Sequence, residues 1–129
     1  MAAGDKTLLI IEDFITERAL WKMLLEKHGY AVLEARDSIQ ALKILKNEKV
    51  DLVILDLSIP PAGRDGGFLL LRRKERIRLN KATPVIIVSG ILPDTAIRER
   101  TQENPDVKMV LEKPVENEDL LSNVQQFID

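Results

Sequence analysis

Leu52-Val53-Ile54-Leu55 is an unbroken apolar run that ends on a carboxylate, Asp56, and then enters a turn-rich stretch, residues 58–67, containing Pro60, Pro61, Gly63, Gly66 and Gly67. A Leu and β-branched run this short, with no polar residue alternating through it, reads as a strand buried on both faces. Such strands belong to parallel sheets covered by helices. The same pattern recurs along the chain. Residues 7–11 run into Glu12-Asp13, residues 84–88 into Ser89-Gly90, and residues 108–111 into Glu112-Lys113-Pro114, while residues 30–35 form a fifth strand candidate. Helical spacing fills the intervals. A helix is expected over residues 15–27 with Leu20, Trp21, Leu24 and Leu25 as its stripe, closed by Gly29 in a left-handed conformation. A second, capped by Asp37 or Ser38, carries Ile39, Leu42 and Leu45. A third starts near Gly67 with Phe68, Leu70 and Leu71, and a short fourth runs from Pro93-Asp94-Thr95 to about Glu103. The last, from Asn117 or Glu118 to Ile128, has Leu120, Leu121, Val124, Phe127 and Ile128 as its stripe. Strand–helix alternation repeated in this way specifies an α/β domain, a doubly wound parallel sheet with right-handed crossovers.

Length and composition narrow the function. At 129 residues, 45% hydrophobic and 31% charged, the chain is expected to form one domain, residues 1–129, with a proper core. A net charge of −2 offers no global attraction for nucleic acid or anionic membrane. The absence of cysteine excludes disulfide and thiolate chemistry and fits a reducing, cytoplasmic compartment. No secretory h-region is read at the N-terminus, and no apolar run approaches the roughly 18 residues of a membrane span.

Ligands of open parallel sheets sit outside the carboxyl ends of the strands. The residues expected at that edge are Glu12 and Asp13, Asp56, Ser89 and Lys113. Clustered carboxylates repel unless a cation is bound. An all-oxygen set with no His or Cys suits Mg²⁺, which keeps some waters and accepts phosphate oxygens. An Asp beside Mg²⁺ can attack phosphorus and form an aspartyl phosphate, with Lys113 neutralising one phosphoryl oxygen and the Ser89 hydroxyl donating to another.

These marks, with Pro60 and Lys113-Pro114, stand in the order and near the spacing of the response regulator receiver domain family, and the chain resembles it over essentially its whole length. The resemblance implies a flavodoxin-like (βα)5 fold of strand order 2-1-3-4-5. It implies Mg²⁺-dependent transfer of a phosphoryl group from a phosphohistidine on a sensor histidine kinase or phosphotransfer protein to Asp56. It implies slow self-hydrolysis, a signalling switch rather than a metabolic enzyme. By the same resemblance Asp13 and Asp56 ligate Mg²⁺, Glu12 holds it through water, the Ser58 backbone carbonyl completes the protein ligands, and Lys113 and Ser89 bind the phosphoryl group. A cis Lys113-Pro114 bond is implied too. Output would pass to a protein target through the surface of the fourth helix, fifth strand and fifth helix, including Val110, Ile97 and Arg98. Ser58 and Ile91 would stand at the positions credited with tuning hydrolysis.

The chain departs from the family pattern in the acidic pair, Glu12-Asp13 rather than Asp-Asp, and in Ser89 rather than Thr, which keeps the hydroxyl, and in two further ways that bear on output. Val110 stands three positions before Lys113, where the family usually carries an aromatic switch residue, and the stretch from Asp56 to Gly66 is longer than usual. Both motivate an alternative, a receiver-fold interaction module that works without phosphorylation. A hydrolase using an aspartyl phosphate would place a second Asp at the position of Ser58, which cannot serve as general acid. A flavin protein of this topology is disfavoured because Glu12-Asp13 would repel its phosphate. His28, the sole histidine, reads as a cation at a helix C-terminus, and Trp21 as packing. Residues 72–81, rich in Arg and Lys, read as a solvated helix end with no interleaved aromatics for nucleic acid.

Overall fold

The computed structural model describes residues 6–90 and 95–128. Five strands, β1 (Thr7–Ile11), β2 (Ala31–Ala35), β3 (Leu52–Leu55), β4 (Val85–Ser89) and β5 (Val107–Glu112), alternate with five helices. The helices are α1 (Ile15–Lys27), α2 (Ser38–Asn47), α3 (Gly66–Lys74), α4 (Thr95–Gln102) and α5 (Asn117–Ile128). The sheet order is β2-β1-β3-β4-β5, and every pair is parallel. The doubly wound sheet expected from the apolar runs is therefore the fold.

Side-chain alternation splits each central strand between two cores. Leu9, Ile11, Val53, Leu55, Val85 and Ile87 face one side and pack with Leu42 and Leu45 of α2 and Phe68, Leu70 and Leu71 of α3. Leu8, Ile10, Leu52, Ile54, Ile86 and Val88 face the other and pack with Trp21 and Leu25 of α1 and Leu120 and Val124 of α5. Burial on both faces is why these strands carry no polar alternation.

The helix ends follow local chemistry. Gly29, at φ 92°, lets Tyr30 N–H reach Leu25 O at 3.2 Å and Gly29 N–H reach Glu26 O at 3.0 Å, closing α1 in a Schellman motif. His28 Nδ1 donates to Leu24 O at 3.0 Å, within the terminal turn where a cation was expected. Asp37 caps α2, its Oδ1 accepting from Gln40 N–H at 2.8 Å.

Three expectations need correction. Leu20 and Ile39 are 57% and 68% exposed, because the buried arcs of α1 and α2 are centred on Trp21–Leu25 and on Ala41–Leu42–Leu45. Residues 72–81 are not uniformly a solvated helix end. Helix α3 stops at Lys74, and a short 3-10 turn follows at Arg78–Asn80. Lys74 is buried and donates to Asp106 Oδ2 at 2.9 Å and Lys81 O at 3.2 Å. Burial lowers its pKa, and the partnership with Asp106 only partly offsets this. Asn80 and Ile77 are buried as well. The expected start of the fourth helix at Pro93-Asp94, Ile91, and the side chains of Ile97 and Arg98 lie outside the described residues.

The stretch after β3 folds back on itself. Ile59 and Gly63 exchange backbone hydrogen bonds of 3.0 and 2.9 Å, and Pro60 O accepts from Ser38 N–H at 3.0 Å, pinning the loop to the start of α2. Gly67 N–H donates to Leu57 O at 2.8 Å, so α3 begins in close contact with the strand that carries Asp56. A Cβ at Gly67 would lie 2.7 Å from Leu57 Cα. Gly67→Ala is therefore expected to cost about 1–3 kcal/mol in urea unfolding through forced backbone shift. A neutral result would mean that the loop can yield.

Candidate functional site

The sheet delivers the expected residues to one edge. Glu12 and Asp13 follow β1, Asp56 follows β3, Ser89 ends β4 and Lys113 follows β5. Backbone bonds lock these ends together. Glu12 N–H donates to Ala35 O at 3.0 Å, Asp56 N–H to Ile11 O at 3.0 Å, and Lys113 N–H to Ser89 O at 3.0 Å. Arg18, on α1, adds a clamp, with Nη1 donating to Glu12 O at 2.7 Å and Nε to Glu34 Oε1 at 3.1 Å. The Lys113-Pro114 bond is cis, as the resemblance implied, and Pro60-Pro61 is cis as well.

The side chains converge on the Lys113 ammonium. Nζ lies 2.6 Å from Glu12 Oε1 and 2.8 Å from Asp56 Oδ2. It is also 3.3 Å from Glu17 Oε1 and 5.8 Å from the centre of the Trp21 ring. The other Asp56 oxygen, Oδ1, accepts from Ser58 N–H at 3.0 Å. One oxygen each from Glu12, Asp13 and Asp56 lie within 4.8 Å of one another. Glu12 and Ser89 are fully buried, Asp56 is nearly so, and Asp13 opens to solvent. The site is thus a pocket of carboxylates with one exposed member, Asp13, that opens it to solvent.

Its electrostatics are unbalanced. Burial, reinforced by Asp56 and opposed by Lys113, pushes the Glu12 carboxyl up to about 8. Burial alone would lower Lys113, but its hydrogen bonds to Asp56 and Glu12 outweigh that and hold its ammonium above the ordinary range. Glu12 Oε2 is buried with no hydrogen-bond partner, the sole such side-chain atom among the described residues. An orphaned carboxylate oxygen beside two further carboxylates calls for a second positive group. The donor set is all oxygen, as a hard divalent cation requires, so these residues fit Mg²⁺.

Glu17 and Arg18 were not anticipated from the sequence, and Trp21 only as packing. Glu17 falls in the first turn of α1, within five residues of the Glu12-Asp13 pair, and an acid at that place is the signal that could have found it. Val110 is half-buried and packs against the core on the α2–α3 side of the sheet.

Residues 8–125 match the family model described as the response regulator receiver domain. The chain is 31% identical to Protein PilH of Pseudomonas aeruginosa over 121 residues, 94% of this chain and 96% of that one. It is 28% identical over 125 residues to the CAI-1 autoinducer sensor kinase/phosphatase CqsS of Vibrio cholerae, spanning 96% of this chain but only 18% of CqsS. Among solved structures, a CheY-like receiver domain protein from Methanospirillum hungatei superposes with a TM-score of 0.85 at 25% identity, covering 96% of this chain and 94% of that chain. A family match over residues 8–125, with a CheY-like receiver fold superposing on 96% of the chain, settles the family: the chain belongs to the response regulator receiver domains of two-component systems.

Proposed function

We propose that the chain is a working phosphoswitch that accepts a phosphoryl group on Asp56 with Mg²⁺ bound beside it. The observation that carries this reading is the Lys113 ammonium bonded to both Asp56 and Glu12, next to the partnerless Glu12 Oε2. Asp13 and Asp56, with the Ser58 backbone carbonyl, would ligate the ion, and Glu12 would hold it through water. Bound there, the ion screens the incoming anion and the charge that develops on its oxygens. An Asp56 oxygen forms a bond to phosphorus while the bond from phosphorus to the donor imidazole breaks. The electron pair leaves with the imidazole, and Asp56 keeps the phosphoryl group as a mixed anhydride. Lys113 neutralises one phosphoryl oxygen and the Ser89 hydroxyl donates to another. Hydrolysis by water returns Asp56 and inorganic phosphate.

The donor would be a phosphohistidine on a sensor histidine kinase or a phosphotransfer protein in the cytoplasm. Two relatives carry names of that class, the sensor kinase/phosphatase CqsS and the Sporulation initiation phosphotransferase F of Bacillus subtilis. No helix among the described residues is long and apolar enough to cross a membrane. Phosphorylation adds about −1.5 to −2 of charge beside Ser89 and Lys113 and biases the α4-β5-α5 surface toward a protein target, with no direct binding to nucleic acid.

Amide NMR with Mg²⁺ and beryllofluoride, which stands in for the phosphoryl group, tests this. Shifts at Asp13, Asp56, Ser89 and Lys113 that spread to Val110 support the switch. Val110 in place of the aromatic switch residue, with the longer loop after Asp56, motivates one second reading, the module that binds its partner without phosphate, and silence toward both ligands would leave that reading standing. Ion binding has its own expected result. Mg²⁺ at about a hundredfold over its Kd should stabilise the fold by about 2.7 kcal/mol in thermal unfolding. Asp13→Asn should lose most of that gain, and an unchanged midpoint in the unmutated protein would count against a cation site.

A further inference from the structure

Lys113 is held by three carboxylates, and the proposed phosphoswitch uses only two of them. The third, Glu17, sits in the first turn of α1 with Oε1 3.3 Å from Nζ, and both side chains are partly open to solvent. An acid near a helix N-terminus is favoured by the dipole in any case. An ion pair this exposed adds little to stability. Its position gives it another consequence. Glu12 and Asp56 face the place of the cation, whereas Glu17 reaches the same nitrogen from the helix that walls the pocket. When an ion engages Glu12 and Asp56, their hold on Lys113 weakens, and Glu17 is the carboxylate left to compete with a phosphoryl oxygen for the ammonium.

We infer that Glu17 is a positioning residue for Lys113, which holds the ammonium back from the phosphoryl group and sets how readily the site accepts it. The inference rests on the phosphoacceptor reading. It also gives a signature that a purely structural role would not. Neutralising Glu17 removes a negative charge from the pocket, so an anion should bind more tightly. The same change leaves Lys113 to Glu12 and Asp56 alone, so a cation should bind more weakly. Loosened packing would weaken both.

The test compares the unmutated chain, Glu17→Gln and Glu17→Asp. Mg²⁺ is titrated first, and then beryllofluoride at saturating Mg²⁺. Glu17→Gln should bind beryllofluoride about three- to tenfold more tightly, the scale of one unit charge acting at this range through partly hydrated protein. It should bind Mg²⁺ up to about threefold more weakly on the same grounds. Glu17→Asp, which keeps the charge, should stay close to the unmutated protein. The ¹⁵N signal of the Lys113 ammonium in ion-free protein should move in Glu17→Gln, reporting the contact without any ligand. Beryllofluoride affinity unchanged in Glu17→Gln, or both affinities weakened together, overturns the role of Glu17 alone. An unmutated chain that takes no beryllofluoride overturns the phosphoacceptor reading, and the role of Glu17 with it.

Discussion

Asp56→Asn is expected to abolish phosphoryl uptake completely while leaving the fold intact. The amide keeps an oxygen to accept from Ser58 N–H, which Asp56 Oδ1 does at 3.0 Å, so the turn after β3 survives. It lacks the nucleophilic carboxylate, and none of the neighbouring acids replaces it. Glu12 is fully buried and already bonded to Lys113 at 2.6 Å. In ion-free protein the substitution also replaces the charged partner that Lys113 Nζ meets at 2.8 Å, leaving the ammonium paired with Glu12 and Glu17. Intact mass after incubation with Mg²⁺ and acetyl phosphate gives the readout. The unmutated chain should gain one phosphoryl group that hydroxylamine removes, and Asp56→Asn should gain none. Persistent acyl phosphate in the mutant would place the acceptor elsewhere in the acidic pocket.

Asn80→Ala should be among the most destabilising polar substitutions in the chain, at about 3–4 kcal/mol. The side chain is fully buried at the edge of the sheet opposite the acidic site. Its Oδ1 accepts from Val50 N–H at 2.9 Å, and its Nδ2 donates to Leu45 O at 2.6 Å and to Glu48 O at 2.7 Å. Thr83 Oγ1 lies 3.0 Å from both Asn80 Oδ1 and Val50 O. One amide therefore joins the end of α2, the entry to β3 and the turn before β4. Truncation leaves a buried N–H and two carbonyls without partners, each costing about 1–3 kcal/mol before relaxation or water entry. For a domain of this size the loss corresponds to a fall in Tm of roughly 10–15 °C. Urea unfolding followed by Trp21 fluorescence measures it. A loss below about 1 kcal/mol would mean that water substitutes readily for the amide.

The contrast between Asn80 and Asp56 shows what local reading can and cannot reach. Asp56 stands at the end of an apolar run, and its address follows from strand polarity in a parallel sheet. Asn80 lies among Arg72, Arg73, Arg76 and Lys81, where composition suggests solvent. Its partners lie 30 to 35 residues earlier in the chain, and no periodicity announces them. Lys74 is hidden for the same reason, since its carboxylate partner Asp106 lies 32 residues later. Leu20 and Ile39 illustrate a second limit. Both fit helical spacing, but spacing gives the width of an apolar stripe and not which of its borders meets the sheet.

Patterns of short range determined the architecture. Apolar runs buried on both faces specify strands, the intervals between them admit helical crossovers, and the common direction of the resulting parallel strands brings the polar residues after each strand to one edge. Glu12, Asp13, Asp56, Ser89 and Lys113 could be named from the sequence because each is tied to a strand end. Only the tertiary structure decided how those groups divide one ammonium. Lys113 is shared between Asp56, Glu12 and Glu17, one Glu12 oxygen is left without a partner, and Arg18 holds the Glu12 carbonyl. The physical reason is the range of the forces involved. Hydrophobic burial is non-directional and is recorded in local periodicity, whereas hydrogen bonds and charge contacts are settled over a few ångströms between residues far apart in the chain.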